Sequence, residues 1–152
     1  MRPLILSLVA TLVVGCGSNK AQRVSRVEVR ASGLIFAVDA RGNGKAVANF
    51  KKEGRPASVF EIDRVRYKRL LDQIEAFKPA SGPTAETSRR FVSGNCPLNA
   101  PQITDAGMIS IRWIGLGLDH IYVADLGCDP KRNAARNHGL RAVVEDLPVP
   151  RS

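Results

Sequence analysis

From Arg26 the chain alternates apolar and charged positions, with Val27, Val29 and Ala31 on one side and Arg26, Glu28 and Arg30 on the other. A period of two buries one face and wets the other, so this stretch predicts a half-buried strand. Beyond Ser32-Gly33, the residues Leu34, Phe36, Val38 and Ala40 keep the same period, and Arg41-Gly42-Asn43-Gly44-Lys45 supplies turn chemistry before a third run at 46–51. A two-residue Asn43-Gly44 turn would set Val47, Asn49 and Lys51 beside Phe36 and Val38. A three-residue loop, Gly42 to Gly44, sets Ala46, Ala48 and Phe50 there instead and gives Gly44 the left-handed position of a G1 bulge. The second register is preferred.

After a turn at Glu53-Gly54-Arg55-Pro56, the run Val59-Phe60-Glu61-Ile62 predicts a fourth short strand. Asp63 then stands as a helix N-cap, with Ile62 and Tyr67 spaced for a hydrophobic staple. Tyr67, Leu70, Leu71, Ile74 and Phe77 follow at helical spacing, and Lys78-Pro79 ends the helix. Residues 79–90 lack any period and are rich in breakers, which predicts a long surface loop. Ile109, Ile111 and Trp113 alternate with Ser110 and Arg112, and Gly115 and Gly117 turn that strand into Ile121-Tyr122-Val123, a second hairpin. Cys128-Asp129-Pro130 opens a last helix, with Asp129 as N-cap and Pro130 in the first helical position. Its apolar face is Leu140, Val143, Val144 and Leu147; Gly139 is a point where it would break, and Pro148 stops it. The order predicts one α+β domain, a mainly antiparallel sheet of five to six strands with two helices packed on one face.

The N-terminus follows a different pattern. One positive charge, Arg2, precedes an apolar run at 4–14 whose polar positions are Ser7 and Thr11 only. Eleven residues rising about 1.5 Å each span about 17 Å, short of a hydrocarbon core about 30 Å thick, so the run suits a secretory h-region better than a permanent span. At its end, Val13-Val14-Gly15-Cys16 resembles the lipobox of bacterial lipoproteins: aliphatic residues, a small residue, then the cysteine that becomes the new N-terminus. The resemblance covers about a tenth of the chain. It implies a diacylglycerol thioether on Cys16, cleavage after Gly15 and N-acylation. Two or three acyl chains on one residue anchor stably where a single chain, at about 0.8 kcal/mol per buried methylene, does not. It also implies export, and the absence of Asp at position 17 favours the outer membrane, periplasmic face, over the inner. Residues 17–23 are small and polar, a flexible tether. The expected organisation is therefore signal peptide 1–15, lipidated N-terminus and tether 16–23, domain 24–148 and tail 149–152.

Composition sharpens this in two ways. The chain has 152 residues, 44% of them hydrophobic and 24% charged, which fits one ordinary globular domain and excludes a collagen-like or polytopic membrane protein. With 23 Lys and Arg against 14 Asp and Glu the formal charge is +9, and loss of residues 1–15 removes Arg2 alone. The basic positions concentrate at Arg64, Arg66, Lys68 and Arg69 and at Lys131, Arg132 and Arg136. In an envelope such faces meet anionic lipid or polysaccharide. Nucleic acid is not expected, because export removes the chain from it and aromatics are only 5%. Of three cysteines the lipobox claims Cys16, and an oxidising compartment leaves Cys96 and Cys128 to form one disulfide.

Catalytic and cofactor signatures are weak. Cys96 and Cys128 lack C-x-x-C spacing, and His138 alone completes no metal site. Asp39 to Gly44 echoes a calcium loop, yet Arg41 occupies its third position and Phe50 its twelfth, where carboxylates belong. Gly44-Lys45 is followed by Ala46 and lacks the glycine of a P-loop. Neither metal nor cofactor is expected. His120 beside Asp119 sketches an acid/base pair, but neighbours in a strand point to opposite faces. The leading expectation is a non-catalytic interaction or structural module; the rival is a periplasmic small-ligand-binding or hydrolase-like domain with its site near His120 or the 79–95 loop.

Overall fold

The computed structural model describes residues 23–48, 56–79 and 96–149. The lipobox and Cys16, the signal segment, Phe50, the turn at 53–55 and the loop at 80–90 lie outside the described residues. Six strands form one antiparallel sheet: β1 (Val24–Ala31), β2 (Leu34–Asp39), β3 (Asn43–Ala48), β4 (Ser58–Glu61), β5 (Met108–Gly115) and β6 (Leu118–Asp125). Their order across the sheet is β4-β3-β2-β1-β5-β6. Two helices, α1 (Arg64–Glu75) and α2 (Ala134–Glu145), complete an α+β fold.

Register decides which side chains meet. Val27 lies between Val38 and Trp113, and Val29 between Phe36 and Ile111, so one face is a continuous apolar layer. Tyr67, Leu70 and Ile74 of α1 and Leu140 and Val143 of α2 join it in a single buried core. The opposite face carries the other phase of each strand, including Arg26, Glu28, Arg112 and Asp119. Helices thus cover one face, as the alternation requires.

The first hairpin puts Ala46 opposite Phe36 and Ala48 opposite Leu34, on the expected face. Its loop, however, falls two residues earlier than expected, at 40–42, and Gly42 rather than Gly44 takes the positive φ, +93°. The reason is Asp39, whose Oδ1 accepts the backbone N–H groups of Arg41 and Asn43 at 2.8 and 3.0 Å and closes the turn early. Gly44 is needed for a different reason: a Cβ there would overlap the ring of Phe60, its partner on β4, which stacks on Phe36 at 5.2 Å.

Asp63 caps α1, accepting the N–H of Arg66 at 2.7 Å, and the staple partners Ile62 and Tyr67 are both buried. The last helix departs from expectation at its start. It begins at Ala134 behind Asn133, not at Pro130 behind Asp129. Asp129 has a φ of +39°, outside the helical region, and its Oδ1 accepts the N–H of Arg132 at 3.2 Å, capping a turn that precedes the helix. Gly139 does not break α2, because the helix is held on both sides of it by Asn137, Leu140 and Val143 in the core.

Candidate basic cleft beside the disulfide

Cys96 and Cys128 are joined, with Cα atoms 5.7 Å apart. The segment that starts at Cys96 is laced onto the chain leaving β6. Asp129 N donates to Pro101 O at 2.7 Å, Ile103 N donates to Gly127 O at 3.0 Å, and Gln102 forms an antiparallel bridge with Cys128. Between this pair of strands of chain, the edge of β6 and the first turn of α2 lies a cleft of about 650 Å³, of a size that takes small ligands.

Two of the basic residues singled out from sequence, Arg132 and Arg136, line it, together with Asn99, Tyr122, Asp129 and Asn133. Arg136 is held firmly. Its Nη2 donates to Asp125 O at 2.8 Å, and its Nε and Nη2 both donate to Asn137 Oδ1, at 3.0 and 2.8 Å. Asn137, 5% exposed, is the one buried polar residue among those described, and its Nδ2 donates to Leu126 O at 2.9 Å. A buried amide paired on both sides ties α2 to the turn after β6 and fixes the guanidinium in place. The acceptors around Arg136 are neutral oxygens. No ion pair to it occurs among the described residues. Asn133 spends its amide N–H on Cys128 O, 2.8 Å away, and so leaves the first turn of α2 without a side-chain cap.

The other basic residues are placed differently. Arg64, Arg66, Lys68 and Arg69 stand exposed along α1, where Lys68 pairs with Asp72 at 2.6 Å. Arg66 and Arg69 border a smaller hollow, about 340 Å³, that Glu145 and Asp146 also line, so positive and negative groups share it. Lys131 is exposed near the cleft but does not line it.

His120 sits opposite Trp113 on the helix-covered face, whereas Asp119 lies on the other face, gripped by Arg112 through Nε at 2.7 Å and Nη2 at 2.8 Å. That double hydrogen bond from Arg112 holds the Asp119 carboxyl below its usual range, against a smaller opposing effect of burial. The imidazole Nδ1 of His120, like Trp113 Nε1 and Tyr67 Oη, is buried without a hydrogen-bond partner among the described residues. The two residues of the sketched acid/base pair are therefore kept apart by the pleat. Among the described residues no group of three or more His, Cys, Asp or Glu could hold a metal ion, and no helix is long and apolar enough to cross a membrane.

Charge in the sequence marks Arg132 and Arg136, and Tyr122 stands out there only as a neighbour of His120, while Asn133 and Asn137 go unmarked. One signal was present: Asn137 precedes Leu140 by three residues, a polar residue in the helix's apolar stripe. Comparison with protein-family models, with curated proteins and with solved structures finds no match to this chain.

Proposed function

We propose that this chain is a lipid-anchored bacterial envelope protein whose single α+β domain acts by contact, as a non-catalytic interaction module on the periplasmic side. The pairing of two of the three cysteines is the observation that carries the reading. Cys96 and Cys128 consume each other, which suits an oxidising compartment and supports the reading of the third cysteine, Cys16, which in the sequence directly follows Val13-Val14-Gly15. A thioether-linked diacylglycerol on Cys16 ties the domain to the outer membrane through the tether at 17–23.

Held at a bilayer, the domain meets anionic envelope lipid or polysaccharide through Arg64, Arg66 and Arg69 on α1 and through Lys131, Arg132 and Arg136. Exposed cations interact over about 8–10 Å at physiological salt, so such contact is strong only where anions are dense. Cosedimentation of the unlipidated domain with phosphatidylglycerol vesicles and with lipopolysaccharide tests this part. Binding that weakens steeply from about 50 to 500 mM salt is expected; binding indifferent to salt, or equal on phosphatidylcholine vesicles, would refute the basic-surface reading.

A further inference from the structure

We propose that the cleft formed by β6, the 96–101 segment and the start of α2 is a binding site for an anionic sugar, a monosaccharide unit bearing a carboxylate or phosphate. The proposal rests on the reading of the chain as a contact module and narrows its partner to the saccharide of the envelope rather than the bilayer surface.

Three observations lead there. The first is that neither arginine of the cleft forms an ion pair among the described residues. Arg136 is half-buried and fixed by two neutral oxygens, Asn137 Oδ1 and Asp125 O, and Arg132 has no side-chain bond among the described residues. Asp129, the one acid that lines the cleft among the described residues, accepts the Arg132 backbone N–H. Arg136 has spent its Nε–H and both Nη2 hydrogens on those oxygens and keeps Nη1 for an anion, while Arg132 keeps its whole planar fork, which matches carboxylate and phosphate oxygens. In the hollow beside Arg66 and Arg69 the chain supplies Glu145 and Asp146; in this cleft the two arginines outnumber the acid.

The second is size. A volume of about 650 Å³ is many times that of a bare oxyanion, so whatever carries the charge has a body. The third is the rest of the lining. Tyr122, half-buried and packed on Phe77 with ring centroids 5.7 Å apart, brings an aromatic side chain to the cleft; Asn99 brings a carboxamide that both donates and accepts, and Asn133, whose Nδ2 donates to Cys128 O, brings its amide oxygen. Hydroxyl groups need such two-way partners, and the apolar face of a pyranose ring suits an aromatic ring. Apolar ring, amides and paired guanidinium groups together describe an acidic sugar better than a fatty or peptidic ligand. Asn137 acts as a positioning residue: its Oδ1 accepts from both Nε and Nη2 of Arg136.

The test is calorimetric titration of the full chain, purified in nonionic detergent, with glucuronate, glucose 6-phosphate, glucose and inorganic phosphate. One saturable site for glucuronate or glucose 6-phosphate is expected, with glucose and inorganic phosphate each at least about tenfold weaker. Which of the two sugars binds tighter identifies a carboxylated or a phosphorylated source. Arg132→Gln, at an exposed position whose side chain makes no bond among the described residues, should lower that affinity about tenfold while the thermal midpoint stays unchanged. No saturation by either sugar up to roughly 10 mM, inorganic phosphate binding as tightly as the sugars, or undiminished binding by Arg132→Gln would each overturn the site. Lipid on Cys16 is read by mass and not by this titration, so loss of the site leaves the anchoring claim to stand or fall separately.

Discussion

Gly42 combines a φ of +93° with a close approach of backbone: Ile62 N donates to its carbonyl at 2.9 Å, and a Cβ would overlap the Ile62 carbonyl oxygen. Strain and overlap act together there, so Gly42→Ala should cost about 2–4 kcal/mol of unfolding free energy, measurable by urea denaturation. A change below about 0.5 kcal/mol would show that the turn relaxes freely. Asp119 gives a prediction in pH. Its folded pKa is depressed by the Arg112 hydrogen bonds, so its contribution is fully present above the unfolded value of 3.8 and is lost as pH falls through the lower folded value. Both side chains are about a third exposed, 32% and 39%, so screening keeps the effect small. The stability gap between wild type and Asp119→Asn should narrow on acidification below about pH 4; a gap constant down to about pH 2 would show that the pair contributes nothing.

At the scale of elements, the disulfide is the staple on which the cleft depends. Cys96 and Cys128 are separated by 32 positions, and closing a loop of that length in the unfolded chain is worth about 3–4 kcal/mol in the chain-entropy account. Reduction, or Cys96→Ser with Cys128→Ser, should lower stability by that amount and loosen the Asp129–Pro101 and Ile103–Gly127 bonds, giving faster hydrogen exchange at Ile103 and Asp129. Exchange at Leu70 and Ile74, packed elsewhere in the core, should change less relative to global unfolding. Equal acceleration throughout would show that the 96–104 segment has no structural independence. The strands and α1 were legible in the sequence because each has a period and a cap: the Val27/Val29 alternation, the Asp63 cap, and Tyr67, Leu70 and Ile74 at helical spacing. The first turn of the last helix was not. Asp129-Pro130 carries the local signature of a helix start, but Asp129 is drawn to positive φ by its place in the turn pinned to Pro101, and tertiary bonding overrides that signature. The hairpin loop was misplaced for a similar reason, since either glycine satisfies the turn and the Asp39 side chain decides between them. The cleft was half legible: charge marks Arg132 and Arg136, while the amides and Tyr122 converge only through the fold.

For the molecule as a whole, three features converge on one arrangement: an apolar run ending in Val13-Val14-Gly15-Cys16, a basic chain and a disulfide-stapled domain. Two or more acyl chains would hold the protein at the bilayer, and a short polar tether would leave the cleft free to sample what lies within reach. No residue of α1 lines the cleft among the described residues, so binding to a charged surface through α1 and binding of a discrete sugar are separable activities. Substituting Arg64, Arg66 and Arg69 together by Gln should weaken vesicle binding and leave the sugar titration unaltered.

Anchoring is tested most directly by the mass of the N-terminal peptide from the protein isolated out of cell membranes. A peptide that begins at Cys16 and carries a diacylglyceryl thioether with an acylated amine is expected, and Cys16→Ser should abolish it. A peptide beginning at Met1, or an unmodified Cys16 on protein recovered from the soluble cytoplasmic fraction, would contradict anchoring.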